Sequence, residues 1–289
     1  MTPCRCNLST GSSAITGTHA AQTLTVMAKL TSPVTARALG VLRGDFGDSI
    51  YYGRPVTEVI GDFLPNTLIL GVAAYILTIV ASLALGIFAA LRQYSAFDNV
   101  FTAASFITYS MPVFLVALIL VQIFAVQFNR LGLPHLPVSG MYDPRGDRSF
   151  DELLRHLILP MTSLAAISIA AYSRYIRATM LEVINSDYVR TARAKGIGER
   201  RIVFLHALKN ASLPLVTLVG LDLPFILSGA VITETVFSWP GMGRMFITAL
   251  EQVDYTLLIA FVLLIAVAVV VFQLVTDILY AALDPRIRY

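Results

Sequence analysis

The sequence predicts an all-α fold, a bundle of helices that crosses a membrane several times. Of the 289 residues, 56% are apolar and only 13% are charged, whereas a soluble domain usually has about 25% charged residues. The charges cluster between long uncharged runs, as expected of membrane spans joined by polar loops. These runs are continuously apolar and lack the alternation of a membrane β-strand, so helices are predicted.

Five spans are predicted from the apolar runs. Four of the runs contain no charged residue: Asn66 to Leu91, Asn99 to Phe128, His156 to Ser173 and Tyr255 to Thr276. A further run, Ser212 to Trp239, is apolar but carries Asp222 and Glu234. Each run is close to or longer than the roughly 20 residues that cross a bilayer as a helix. The predicted spans are therefore 66–91, 100–127, 157–176, 212–237 and 256–282.

Small residues and prolines predict how the spans pack. Ser82, Gly86 and Ala90 recur every fourth residue, which places them on one helix face that a neighbouring helix can approach closely. Each of four prolines removes a backbone donor and is predicted to interrupt or begin a span. They are Pro112, Pro160, Pro214 and Pro224. Broken helices at membrane depth are tolerated beside protein or water, so a conduit is compatible with them.

Basic residues predict the orientation, because they favour the cytoplasmic side. Eight lie between the third and fourth spans: Arg174, Arg177, Arg190, Arg193, Lys195, Arg200, Arg201 and Lys209. The connection 129–156 balances its arginines with acids, and 238–255 holds one arginine. The loop 174–210 and the C-terminus are thus predicted to be cytoplasmic, and five spans then place the N-terminus outside.

The N-terminal part of the chain fits this topology poorly. Residues 1–65 contain no span-length apolar run and no ordinary signal peptide. Residues 1–40 are predicted to be weakly structured, 41–65 to be extracytoplasmic, and 66–289 to form the transmembrane domain. A lost first span, or a wrongly assigned start, would explain this pattern.

The basic loop has its own predicted structure. Leu181 to Lys195 has helical spacing, Gly196 and Gly198 permit a sharp turn, and 199–210 has the pattern of a second helix. A charged loop can simply be a solvated anchor. A short exposed helix can also lie in a groove of a soluble partner, and the layout favours that interpretation.

Five sequence motifs resemble those of ABC-importer permeases, most closely the dipeptide/oligopeptide/nickel branch. The similarity extends over residues 40–289. The motifs are Leu42-Arg43-Gly44-Asp45-Phe46-Gly47, Leu136-Pro137-Val138-Ser139-Gly140, Asp187-Tyr188-Val189-Arg190-Thr191-Ala192-Arg193-Ala194-Lys195-Gly196 with Glu199-Arg200-Arg201, His206-Ala207-Leu208, Asn210-Ala211 and Leu213-Pro214, Glu234-Thr235-Val236-Phe237-Ser238-Trp239-Pro240-Gly241-Met242-Gly243-Arg244, and Leu283-Asp284-Pro285-Arg286-Ile287-Arg288.

This resemblance implies a type I ABC-importer permease fold in the cell inner (cytoplasmic) membrane, with the family's first span apparently missing. It implies as partners a second, homologous permease subunit, two ATP-binding subunits and an extracytoplasmic solute-binding protein. The loop would dock on the ATPase. The residues implied in docking are Tyr188, Arg190, Thr191, Ala192, Ala194, Lys195, Gly196, Glu199 and Arg200. Peptides, nickel chelates and other small solutes are all compatible substrates, and the permease pair is compatible with either a homodimer or a heterodimer.

Two acids are candidates for the translocation path, because intramembrane carboxylates are costly and usually functional. Asp222 lies within the fourth predicted span, and Glu234 lies near its outer end. There Glu234 is expected to be a hydrated anchor or a structural partner of Arg244. Tyr109, Met111 and Pro112 break the second span and are further candidates, although core packing would also explain them.

No catalytic or metal site is predicted, and no cofactor. The four histidines are scattered, and Cys4 and Cys6 are best explained as incidental thiols. The chain contains no GxxxxGK[ST] phosphate loop, so ATP hydrolysis is expected on a partner subunit. The alternative functions are an ion- or proton-driven secondary transporter, which would usually show internal repeats, and a membrane-embedded enzyme.

Overall fold

The computed structural model describes residues 45–144, 146–198, 201–202, 208, 220, 222 and 230–283. Their regular structure is helical. The helices are α1 (Val56–Leu91), α2 (Ala96–Ser110), α3 (Val113–Leu120, extended by a π-helical stretch Val121–Gln127 and a last turn Phe128–Arg130), α4 (Phe150–Ile184), α5 (Asp187–Ala194), α6 (Val231–Val236), α7 (Met242–Glu251) and α8 (Tyr255–Leu283).

Four helical stretches among these residues are long and apolar enough to cross a bilayer. They are Val56–Leu91, Val113–Arg130, Phe150–Ile184 and Tyr255–Ile278. The prediction of a multi-pass helical membrane protein is thereby confirmed. The fourth predicted span, 212–237, lies outside the described residues except for 220, 222 and 230–237. Pro214 and Pro224 also lie outside them.

Helix α1 begins ten residues before the predicted span. An uncharged run marks only the apolar middle of a helix. The first turns of α1 contain Asp62, so they were left out of the predicted span. Val56, Val59 and Ile60 lie on one face and are buried in an apolar cluster with residues of α7 and α8, among them Met245 and Leu257. This contact holds the N-terminal end of α1 and explains why the helix extends beyond the uncharged run.

Helices α1 and α4 run side by side in the same direction. Leu70 packs near Leu157, and further along Gly86 lies against α4, where a Cβ on it would be 2.7 Å from the Ser173 carbonyl oxygen. Ser82, Gly86 and Ala90 are buried. The prediction that these small residues form a packing face is therefore confirmed.

Two predicted helix boundaries around the basic loop 174–210 were wrong. The third span was expected to end at 176 and a separate helix to cover 181–195, but α4 continues to Ile184 and a break at Asn185 and Ser186 precedes α5. Arg174 and Arg177 therefore lie on α4 rather than in a loop. Pro160, expected to interrupt or begin a span, lies inside the continuous helix α4.

The second predicted span consists of two helices, as its proline suggested. Ser95 caps α2 by accepting a hydrogen bond from the Asp98 amide, and the helix ends at Ser110. Met111 and Pro112 are extended, and Pro112 then precedes α3. Pro112 favours the break because its ring fixes φ and disfavours helical geometry in the residue before it.

Candidate functional site

One face of helix α5 packs against the rest of the protein. Val189 and Ala192, three residues apart, are buried together with Ile202, and Val183 and Ile197 pack against them. This small apolar cluster joins the end of α4 to the segment after α5. The position of α5 therefore depends on the cytoplasmic end of α4.

The turn after α5 has the hydrogen bonds of a Schellman motif. Gly196 has φ +77°. Its N–H donates to the Arg193 carbonyl oxygen at 2.9 Å, and the Ile197 N–H donates to that of Ala192 at 3.3 Å. Glycine adopts this left-handed conformation without a steric cost, and the two bonds satisfy the last carbonyls of the helix. The prediction that Gly196 makes a sharp turn is confirmed.

The opposite face of α5 points away from the protein. Arg190, Thr191, Ala194 and Lys195 are exposed, whereas Ala192 is only 8% exposed. The side chain of Ala192 thus lies on the buried face of α5 and is covered by apolar neighbours. The side chain of Tyr188, together with Glu199 and Arg200, lies outside the described residues.

A charged clamp holds the start of α2 against α4, and sequence inspection missed it. Arg177 donates from Nε to Asp98 Oδ1 at 2.6 Å and from a terminal nitrogen to Oδ2 at 2.7 Å. Asp98 Oδ2 also accepts the Tyr94 amide at 2.9 Å. The Asp98 side chain is 2% exposed and that of Arg177 is 23% exposed. The clamp lies two turns before the end of α4, close to where α5 is attached.

Asp222 is bonded to helix α4. The Tyr172 hydroxyl on α4 donates to Asp222 Oδ2, and Tyr75 on α1 interacts electrostatically with the same carboxylate. Asp222 itself is partly exposed. The carboxylate is thus tied to α4 by a hydrogen bond and to α1 by its charge.

The other path candidates do not join Asp222 in one site. Tyr109 is 54% exposed, and its ring lies 4.8 Å from the guanidinium carbon of Arg174, an arrangement that favours a cation–π contact. Met111 lines an apolar cavity of about 470 Å³ between α1, the α2–α3 break and α4. Pro112 forms the break itself. These three residues thus lie at the α2–α3 break beside α4, and the contacts described for them do not include Asp222.

Glu234 joins α6, α1 and α7, and its predicted role as a hydrated anchor was wrong, because it is completely buried. Thr67 of α1 donates to its Oε1 at 2.9 Å, and the Arg244 amide donates to Oε2 at 3.1 Å. Thr67 in turn accepts the Met242 amide at 2.6 Å. The carboxylate lies at the start of α7, where the free amides and the helix dipole favour negative charge.

The partnership of Glu234 with Arg244 is through the backbone, since the Arg244 guanidinium donates to the Ser238 carbonyl oxygen instead. The glycines of the motif make the approach possible. A Cβ on Gly241 would be 2.4 Å from the Glu234 carboxyl carbon, and one on Gly243 would be 2.7 Å from the Val231 Cα. The two glycines, which follow the acid within the same sequence motif, were the signal that could have indicated this packing.

The four long apolar helices, packed side by side, define a multi-pass membrane protein. The chain belongs to the family of binding-protein-dependent transport system inner membrane components, which residues 82–289 match. It is a permease subunit of an ATP-driven importer, and this membership argues against the secondary transporter and the membrane enzyme.

Curated relatives are similar over most of their length. The chain is 42% identical over 250 residues to the oligopeptide transport system permease protein AppB of Bacillus subtilis (strain 168), covering 86% of this chain and 78% of that protein. It is 37% identical over 274 residues to the dipeptide transport system permease protein DppB of Escherichia coli (strain K12), with the same coverage of 86% and 78%.

A solved structure confirms the fold class. An inward-facing form of the MetNI methionine ABC transporter contains a chain that matches with a TM-score of 0.60 at 15% identity, covering 79% of this chain and 97% of that one. At this identity the likeness concerns the fold alone.

Proposed function

We propose that this permease subunit carries peptides, or a related small solute, across the cell inner membrane. The names of its relatives at 37–42% identity support this substrate class. We further propose that it works with a second permease subunit, two ATP-binding subunits and an extracytoplasmic solute-binding protein. ATP is hydrolysed on the partner, and α5 transmits the resulting movement to the membrane helices.

The two-faced geometry of α5 is the observation that carries this proposal. Its inner face is fixed to α4 by Val189 and Ala192, and its outer face exposes Arg190 and Ala194. A helix held in this way can transmit a displacement of a soluble partner to α4. Its buried face is packed against the end of α4, and its outer face is exposed to such a partner. Ala192 contributes to coupling by holding α5 against α4, whereas Ala194 and Lys195 belong to the face that docks on the partner.

Gly196 offers a test with a matched control two residues away. A Cβ on either Gly196 or Gly198 meets nothing within 4 Å, but only Gly196 has a left-handed φ. Gly196→Val therefore strains the turn without a clash, at a cost of order 1–3 kcal/mol. We expect uptake, and the ATPase stimulation caused by loaded binding protein, to fall at least about five-fold in the assembled transporter.

Gly198→Val is expected to retain coupling, and Gly196→Asn to retain most of it, because asparagine tolerates the left-handed region. The measurements are peptide uptake into proteoliposomes and ATP hydrolysis by the same preparation. Equal coupling in Gly196→Val and Gly198→Val would remove the turn from the mechanism. A transporter whose ATPase never responds to loaded binding protein would contradict the proposed function itself.

A further inference from the structure

We propose that Asp222, with Tyr172 and Tyr75, binds a protonated primary amine in the middle of the membrane. In a peptide importer this group is the α-ammonium of the substrate, so the inference rests on the proposed function. It assigns a substrate contact to the permease itself.

The first step is the position of the acid. Asp222 lies ten residues into the predicted span 212–237, which corresponds to about 15 Å along a helix. A carboxylate at that depth is costly unless a charge or several donors compensate it. The Tyr172 hydroxyl is a neutral donor, so it orients the carboxylate without cancelling its charge.

The second step is that the arginines nearest to Tyr172 along α4 are already occupied. Arg174 donates from Nε to the Ala170 carbonyl oxygen and stacks on Phe106 and Tyr109. Arg177 is bound to Asp98 through two nitrogens. Among the described residues, the ion pairs within 4.0 Å do not include Asp222. Within that part of the chain the carboxylate has no cationic partner, and we take its partner to be a cation that arrives from outside the protein.

The third step is the chemistry of the surroundings. Asp222 is partly exposed, so a ligand can reach it. Phenol rings attract cations through their faces, and their hydroxyls accept hydrogen bonds. One carboxylate with two tyrosines thus offers a primary ammonium an ionic partner together with acceptors for its remaining N–H groups. Three helices, α1, α4 and the predicted fourth span, contribute to this arrangement.

The test is equilibrium binding of two radiolabelled dipeptides to the purified permease–ATPase complex in nanodiscs, without binding protein. The peptides are alanyl-phenylalanine and its N-acetyl derivative, which differ only in the ammonium group. We expect the wild-type complex to bind the free peptide at least about ten-fold more tightly than the acetylated one. Asp222→Asn should lower binding of the free peptide to the level of the acetylated one.

Asp277→Asn is the matched control, because Asp277 is also a carboxylate on a membrane helix but is exposed and bonded to Gln273. It should retain the preference for the free peptide. Tyr172→Phe should weaken that preference by a smaller factor than Asp222→Asn, since the carboxylate remains.

Equal binding of the two peptides by the wild-type complex would overturn the inference, and so would binding of neither. This comparison decides the matter even if Asp222→Asn does not assemble. A preference that survives in Asp222→Asn would also overturn it. The ATPase response of the same complex to loaded binding protein tests the proposed function separately: a normal response without peptide discrimination refutes only the ammonium site.

Discussion

The clamp between Asp98 and Arg177 permits a quantitative prediction. Removing one partner from a buried ion pair typically costs about 3–5 kcal/mol. The Arg177 side chain retains 23% exposure, so water compensates part of the loss. We expect Asp98→Asn and Arg177→Gln each to lower the free energy of unfolding, and the double variant to reveal a coupling of about 2 kcal/mol.

The measurement is reversible unfolding of the purified subunit in SDS–detergent mixtures, followed by circular dichroism. The pair also predicts a pH dependence. The Arg177 guanidinium, together with the Tyr94 amide, holds the pKa of Asp98 below its ordinary range despite the opposing effect of burial. The resulting stability is present above the ordinary pKa of about 4. It is lost as the pH falls through the lower folded-state value, and Asp98→Asn should reduce this dependence.

The ion pair of Arg54 and Asp62 supplies the control, because it joins the same residue types at 2.6 Å with side chains that are 40% and 59% exposed. Its coupling should be below about 1 kcal/mol. If Asp98 and Arg177 prove additive, or couple no more strongly than the exposed pair, their burial does not stabilise the junction of α2 and α4.

Two further outcomes test the packing outside the clamp. Gly86→Leu should destabilise the subunit by about 1–3 kcal/mol in the same unfolding assay, because its Cβ would lie 2.7 Å from a backbone oxygen of α4. Gly61→Leu on the same helix meets nothing within 4 Å and should be nearly neutral, so equal losses would contradict the packing. Burial raises the pKa of Asp254, but hydrogen bonds from Ser49 and three backbone amides outweigh it and leave that pKa below its ordinary range. Stability should therefore fall as the pH drops through the lowered value, and an unchanged acid profile in Asp254→Asn would exclude this contribution.

The packing around Glu234 was the part of the structure that the sequence predicted least well. Glu234 belongs to a recognisable motif, yet its position near the end of an apolar run suggested hydration. Only the folded chain brings Thr67 and the start of α7 to it. Trp239 also finds its partner only in the folded chain, where its side chain is fully buried and donates to the Asn66 carbonyl oxygen at 2.9 Å.

Helix α5 was predicted more accurately, although its extent was not. Glycine at 196 indicated the turn because the left-handed conformation has a strong residue preference. The break at Asn185 and Ser186 carried no comparable signal, since neither residue excludes a helix. Which face of α5 is seated also depended on Val183 and Ile202, which contact it from flanking segments.

The sequence by itself determined that this is a multi-pass helical membrane protein of the importer permease family. The reason is that long uncharged runs have one stable state in a bilayer, where each helix satisfies its own backbone. It also determined the small-residue face of α1, because helical spacing is local. The tertiary structure alone decided which polar groups meet: Asp98 with Arg177 across 79 positions, Thr67 with Glu234 across 167, and Tyr172 with Asp222 across 50. Such pairs are set by how helices pack against one another, and the residue types at one position do not encode the partner that packing delivers.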